Sequence, residues 1–307
     1  MKWISAEELA DLAPYKDIVE ALREGFRAEI ETPVRHHHDT SPVTTLLLMP
    51  AWSKQFTGLK TVTVKTDNSV LGLPTVQGAY LLIDNATGTP VTIMDGTELT
   101  RRRTAAAGAL ASDYLSRKDS SALLLVGAGA LGAHFVRAHA CVRPIKTVLI
   151  YNRTVEKSKV LADELSAENF TTKVVTDLES AMAEADIISG ITSSTQAIIK
   201  GAWLKPGTHI DLAGAFKPTM RETDAEAVGC SRVYVDTREG AEAEAGDLIQ
   251  AQAEGQFEFS NVQGDLFELC RGTMMGRKTE SEITLFKSCG TALEDLATAV
   301  MVHLRQV

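Results

Sequence analysis

Hydrophobic and polar positions change their spacing three times along the chain. The opening stretch, MKWISAEELADLAPYKDIVEALREGF, predicts a short strand followed by an amphipathic helix. From Gly58 to Ile93 the text is rich in Val, Thr and Leu, with turn signals at Thr66–Ser69, Gly72–Pro74 and Asn85–Gly88. Such punctuation predicts a hairpin-rich antiparallel sheet. Between Asp95 and Ser116 the spacing becomes helical and the residues small, Ala105, Ala106, Ala107, Gly108 and Ala109, so this helix can approach a ligand closely.

After the polar stretch Arg117–Ser121, short apolar runs alternate with helical segments, beginning at Ala122–Val126. Runs of this kind suit a parallel sheet buried on both faces. Further strands are predicted at 147–151, 173–176, 187–191, 209–212 and 232–236, six in all, as a doubly wound sheet requires. The segment Glu239–Gly246, repeating Ala and Glu, is predicted to be a solvated helix or loop. The last periodic stretch, from Ser288 through Leu293, Leu296 and Val300 to Leu304, predicts a long helix that returns to the first domain, or else one that packs on the sheet alone.

The expected fold is therefore α/β. A Rossmann doubly wound domain spans 117–286, inside a mixed α+β substrate-binding and dimerisation domain made of 1–116 and 287–307. A length of 307 residues exceeds a comfortable single core, which favours two lobes with a crevice suited to a small ligand. The net charge of −9 leaves no cationic field for nucleic acid or acidic membrane. No apolar run reaches membrane-spanning length. The start lacks a secretory pattern, and Cys141, Cys230, Cys270 and Cys289 form no CxxC pair, so the expectation is a cytoplasmic protein without disulfides or a zinc knuckle.

Gly127, Gly129 and Gly132 form the motif GAGALG between an apolar strand and a helical stretch, 133–140. The first glycine permits a tight turn, the second lets backbone amides approach a pyrophosphate, and the third lets helix and strand touch. The following helix N-terminus favours phosphate. At the end of the next strand, Tyr151-Asn152-Arg153-Thr154 offers no acid for a ribose 2′-hydroxyl, and Lys157 follows one turn later. An arginine there pairs with a 2′-phosphate, so NADPH is expected in preference to NADH. Ala130, Leu131, Thr192 and Ala213 complete the candidate cofactor residues with Asn152, Arg153, Thr154 and Lys157.

With these motifs in view, the chain resembles the ornithine cyclodeaminase and mu-crystallin family over nearly its whole length. The residues that carry the likeness are Gly58-Leu-Lys60, Leu73-Pro-Thr75, Arg103-Thr104-Ala-Ala, GAGALG, and Gly290-Thr-Ala-Leu-Glu-Asp295. The resemblance implies a homodimer whose substrate domains pair through their sheets. It also implies that Arg35, Lys60 and Arg103 surround a substrate carboxylate, that Thr75 lines the pocket, and that Thr104 donates to the cofactor phosphates. The chemistry suits them: a guanidinium grips a carboxylate at two points, and a lysine is a mobile donor with a tunable pKa.

Cyclodeaminases of this family carry an aspartate in a Gly-Gly-Asp turn after the strand at 209–212. Here Ala215 stands in its place, and Asp211 lies within the strand. The turn Ala213–Pro218 followed by Met220-Arg-Glu222 is similar to the dehydrogenase and reductase branches. The resemblance thus points to an NAD(P)H-dependent ketimine reductase acting on Δ1-pyrroline-2-carboxylate or Δ1-piperideine-2-carboxylate, with Lys60 and Arg103 as catalytic candidates. Alternatives are an ornithine cyclodeaminase, an L-alanine dehydrogenase, and a crystallin-like protein that only binds NADPH and a ligand. Three consecutive histidines, His36, His37 and His38, point alternately on an extended segment, so no metal site is expected, although one of them has a place beside Arg35. Asp95 and Glu98 are placed to orient Arg101 or Arg102, and the motif Glu244-Ala-Gly-Asp247 has no assigned chemistry.

Overall fold

The computed structural model describes residues 1–306, the side chain of Ser69 apart. The chain divides into two compact units: Met1–Thr104 with the stretch from Thr291 onward, and Ala105–Gly290.

The first unit carries β1 (Lys2–Ile4), β2 (His36–Ser41), β3 (Thr44–Trp52), β4 (Phe56–Lys65), β5 (Val76–Asp84) and β6 (Thr89–Asp95). They form one sheet in the order β1-β6-β5-β4-β3-β2, with β1 parallel to β6 and the others antiparallel. β4 to β6 occupy the predicted hairpin region and overrun it by two residues at each end, while β2 and β3 precede it. His36–Ser41 holds no apolar residue and is exposed throughout, so periodicity gives no sign of this edge strand. The opening helix is two helices, α1 (Ala6–Leu12) and α2 (Tyr15–Arg27). Pro14 has no N–H to continue the first and restricts Ala13 before it. Ser5 and Glu8 start α1 with a reciprocal capping box. A C-terminal helix, Ala292–Leu304, buries Leu293, Leu296, Ala299 and Val302 and packs on α2 and on β3, β4 and β5.

The boundary between the units falls within α3 (Gly96–Leu115). The second unit continues with β7 (Ala122–Val126), α4 (Gly132–Val142), β8 (Thr147–Tyr151), α5 (Val155–Ser166), β9 (Thr171–Val174), α6 (Leu178–Glu184), β10 (Ile187–Gly190) and β11 (His209–Leu212). It closes with α7 (Ala225–Gly229), β12 (Arg232–Val235), α8 (Arg238–Glu244), α9 (Gly246–Ala253), β13 (Gly264–Asp265), α10 (Leu266–Arg271) and β14 (Thr284–Lys287). The C-terminal helix is hereafter α11.

All strands of the second sheet are parallel, in the order β13-β12-β14-β11-β10-β7-β8-β9. The sheet has eight strands where the pattern predicts six. β13 is two residues long, and β14 has only Leu285 and Phe286 as apolar members, so neither stands out as an apolar run. β9 starts two residues before its predicted place, because the Thr171 amide pairs with the Lys146 carbonyl at 2.8 Å ahead of the valines. Glu239–Gly246 is mostly the helix α8, but Ala241 and Ala245 are fully buried, so it is not simply solvated.

Asp236, directly after β12, ties the end of the second unit. Its Oδ2 accepts from Ser288 Oγ at 3.0 Å and from the amides of Cys289 at 2.7 Å and Gly290 at 2.6 Å. Asp236→Asn aims an N–H₂ at donors that need an acceptor. It is expected to lower unfolding free energy by about 1–3 kcal/mol, read as a lower urea midpoint at unchanged m-value. An unchanged midpoint contradicts the pinning role.

Candidate active site

In β4 alternate residues face inward, and Gly58, Lys60 and Val62 are the buried set. Burying an ammonium costs several kcal/mol unless its charge is met. α11 meets it. Thr291 caps this helix by accepting from the Leu293 amide, and Glu294 and Asp295 occupy the first turn, where the helix dipole favours carboxylates. Lys60 Nζ lies 2.9 Å from Asp295 Oδ1 and 2.7 Å from Oδ2. Arg103, on α3, donates from Nε to Asp295 Oδ1 at 3.0 Å and from Nη1 to Glu294 Oε2 at 2.5 Å. All four side chains are buried.

Burial lowers the pKa of Lys60 to about 8; Arg103 and Arg35 push in the same direction, and Asp295 opposes them. A lysine so tuned can hold or release a proton near neutrality. Arg35, half-buried just before β2, is thus close enough to act on Lys60 electrostatically. Tyr80 faces Lys60 across the β4–β5 ladder. Burial, and secondarily Asp295, push its phenol well above the usual range. A methyl group at position 58 would overlap the Tyr80 hydroxyl, which is why the residue two before Lys60 is a glycine.

Sequence reasoning found Lys60, Arg103 and Arg35 but gave no role to Glu294 and Asp295. Their signal is present: two adjacent acids on the inward side of an otherwise apolar helix are out of place unless buried cations answer them. Thr75 is not brought to this cluster. It precedes β5, is exposed, and lies opposite Lys65, five residues and about 16 Å along β4 from Lys60. Thr104 donates its hydroxyl to the Thr100 carbonyl at 2.6 Å. His36, His37 and His38 are exposed on β2. Glu98 orients the two neighbouring arginines, 2.7 Å from Arg102 and 3.8 Å from Arg101.

The second unit holds a cavity of about 790 Å³ at the carboxyl ends of β7, β8 and β10. The strand order reverses between β7 and β10, and a doubly wound sheet leaves its ligand crevice at that place. Gly127, Gly129, Asn152, Arg153, Thr154, Lys157 and Thr192 line it, with the loop from Ser193 to Ile198. Gly127 has φ 115°, a left-handed conformation that favours glycine. A side chain on Gly129 would project into open space, and one on Gly132 would strike Leu161 of α5 at 2.6 Å. The loop therefore lies open toward the cavity at Gly129 and packs tightly on α5 at Gly132. Asn152 also has a structural task, accepting from the Ala128 amide at 3.1 Å. The lining holds two cations, Arg153 and Lys157, and no carboxylate. Ala130, Leu131, Gly132 and Ala213 do not line the cavity; Gly132 is buried, Ala130 exposed, and the other two are half-buried.

Ala215 is completely buried in the turn after β11. Asp211 is buried within β11, with Oδ2 3.3 Å from His139 Nε2 and 3.4 Å from Ser189 Oγ.

A doubly wound sheet with this glycine loop defines a Rossmann-type protein. The chain belongs to the ornithine cyclodeaminase/mu-crystallin family, whose model matches residues 4–307. A Δ1-pyrroline-2-carboxylate reductase of Paracoccus denitrificans is 39% identical over 287 residues, 93% of this chain and 90% of that protein. Among solved structures, the Thermococcus litoralis Δ1-pyrroline-2-carboxylate reductase in complex with NADH and L-proline is 32% identical. It aligns with a TM-score of 0.94 over 99% of this chain and 97% of its own. An archaeal alanine dehydrogenase dimer with bound NAD is 29% identical, with a TM-score of 0.93 and the same shares.

Asp295→Asn removes the carboxylate charge that holds the Lys60 proton. In ¹³C-lysine NMR titrations Lys60 is expected to titrate near 8 in the native protein and lower in the variant. An unchanged or higher value in the variant contradicts the pairing.

Proposed function

We propose that the protein reduces the C=N bond of a cyclic imino acid, Δ1-pyrroline-2-carboxylate to L-proline, Δ1-piperideine-2-carboxylate to L-pipecolate, or both. The observation that carries this reading is the buried pair of Lys60 and Arg103, one cation tuned to about 8 and the other permanently charged. The Thermococcus litoralis relative supports it, since NADH and L-proline are a cofactor and a product of this reaction.

A reduced nicotinamide dinucleotide, when bound, supplies the hydride that adds to the imine carbon. Arg103, with Arg35, holds the substrate carboxylate, and Glu294 and Asp295 fix the plane of the Arg103 guanidinium. Lys60 supplies the proton that the ring nitrogen keeps in the product. Imine, hydride and proton account for the cyclic amino acid. Gly127, Gly129 and the start of α4 take the pyrophosphate; Arg153 and Lys157 favour a 2′-phosphate, so NADPH is preferred to NADH even though the solved relatives hold NADH and NAD. The protein is a homodimer on this reading, as the archaeal dehydrogenase is a dimer.

Oxidation of L-alanine is the second reading, on the likeness to that archaeal enzyme. Cyclodeamination fits less well, since buried Ala215 cannot move protons and Asp211 is enclosed in its strand.

The deciding experiment compares oxidation of NADPH and NADH with five- and six-membered cyclic imines, reduction of NAD⁺ and NADP⁺ with L-alanine, and ammonia release from L-ornithine. Imine-dependent oxidation is expected, with kcat/KM falling above about pH 8 as Lys60 loses its proton. Ammonia release without net cofactor turnover overturns the reading, and nucleotide binding without any turnover leaves a binding protein. For the cofactor, Arg153→Ala is expected to raise KM for NADPH at least tenfold more than that for NADH; equal effects remove the 2′-phosphate assignment.

A further inference from the structure

The motif around Asp247 finds its place in a buried knot of the second unit. Glu222, Asp247 and Lys287 are all fully buried, and they come from three distant parts of the sequence. The Glu222 carboxylate accepts from the Thr192 amide at 2.6 Å through Oε1, and from the Gly214 amide at 2.9 Å through Oε2. Thr192 follows β10 and Gly214 follows β11, so one side chain ties the carboxyl ends of two adjacent strands. Asp247 holds the backbone behind it. Its Oδ1 accepts from the amides of Glu222 at 2.6 Å and Thr223 at 2.9 Å and from Thr223 Oγ1 at 3.2 Å, while Oδ2 lies 3.1 Å from Lys287 Nζ.

Glycines make room for this knot. A Cβ on Gly190 would lie 3.1 Å from the Glu222 carboxyl carbon, and one on Gly214 would lie 2.5 Å from Glu222 Oε2 and overlap the Thr192 carbonyl. One on Gly246 would overlap the carbonyls of Lys217 and Met220. An alanine at Gly214 would displace the carboxylate or the Thr192 backbone it holds, and one at Gly246 would displace the Lys217–Met220 backbone.

Thr192 begins the loop that lines the cavity after β10, on the opposite side of the switch point from β8 and the adenosine-side residues Asn152 and Arg153. A dinucleotide laid over the glycine loop from β8 puts its second nucleoside at that loop. We infer that Glu222 is a positioning residue for the nicotinamide end of the cofactor, holding the Thr192 and Gly214 backbones in the shape that receives the ring. This rests on the dinucleotide reading given above. Asp247 and Lys287 support Glu222, which gives the Gly246-Asp247 motif its role.

Burial lifts the Glu222 carboxyl to about 7; Lys287 and the Thr192 amide pull against that rise, and Asp247 adds to it. A protonated carboxyl carries a hydrogen on one oxygen, which becomes a weaker acceptor, so the hold on one of the two amides loosens. Burial works against the Lys287 ammonium, but Asp247, Cys289 and Glu222 together outweigh it and raise its pKa, so Lys287 stays charged through this range.

The test compares affinities for the reduced dinucleotide and for ADP-ribose, which lacks only the nicotinamide, by calorimetry on the full chain. Where NADPH binds more tightly than NADH, the matched fragment is 2′-phospho-ADP-ribose. Glu222→Gln keeps the size of the side chain but turns an amide N–H₂ toward one of the two backbone donors. Its Kd for the dinucleotide is expected to rise tenfold or more, with that for the fragment changed less than twofold. A merely structural role weakens both ligands equally, and that outcome overturns the inference, as does no change in either. Should the variant fail to fold, the native protein decides: the ratio of dinucleotide to fragment Kd rises as pH falls from 8 to 6, whereas a flat ratio overturns the role of Glu222. If neither ligand binds the native protein, the dinucleotide reading fails and this inference with it; if both bind, only the role of Glu222 is at stake.

Discussion

A buried ammonium and a buried guanidinium set the terms for the first unit. Neither Lys60 nor Arg103 can stay buried without a counter-charge, and Asp295 Oδ1 serves both of them. That shared oxygen explains the local sequence around it. Thr291 starts the helix, two acids fill its first turn, and Gly58 leaves room for Tyr80 on the sheet face that the helix covers. Matching two cations with two carboxylates leaves the cluster near neutrality, and Arg35 adds positive charge beside it. An anion beside this cluster therefore meets a modest surplus of positive charge rather than a strong field.

Much of this was legible in the sequence. The glycine loop was placed correctly because its meaning depends on the strand before it and the helix after it, and β7 and α4 stand where the apolar run and the helical spacing put them. Lys60 and Arg103 were recognised through short motifs whose neighbours, glycine before one and small residues after the other, reflect tight packing. What escaped was what only tertiary contact defines. Asp295 pairs with Lys60 across 235 residues, and no local pattern announces that partnership. Edge strands without apolar residues, such as β2, and two-residue strands such as β13 escaped for the opposite reason: their pairing rests on backbone hydrogen bonds and leaves little mark on composition.

Both units meet buried charge in the same manner, but to different ends. In the first, carboxylates at a helix start answer side-chain cations, and burial lowers the pKa of one of them to about 8. In the second, the Glu222 carboxylate answers backbone amides, and its support from Asp247 and Lys287 is structural. Such networks are costly to build and costly to break singly, because removing one member leaves an uncompensated charge in a dry interior. They therefore tolerate little variation, unlike the exposed Arg153 and Lys157.

The discontinuity of the first unit has a consequence for biosynthesis. As the ribosome advances, the continuous segment Ala105–Gly290 emerges whole and can fold on its own schedule. The sheet carrying Lys60 emerges earlier, yet it lacks α11, the element that covers β3 to β5 and meets its charge, until Ala105–Gly290 has been translated. That sheet waits through the synthesis of almost two hundred residues with an apolar face uncovered and the Lys60 ammonium unanswered.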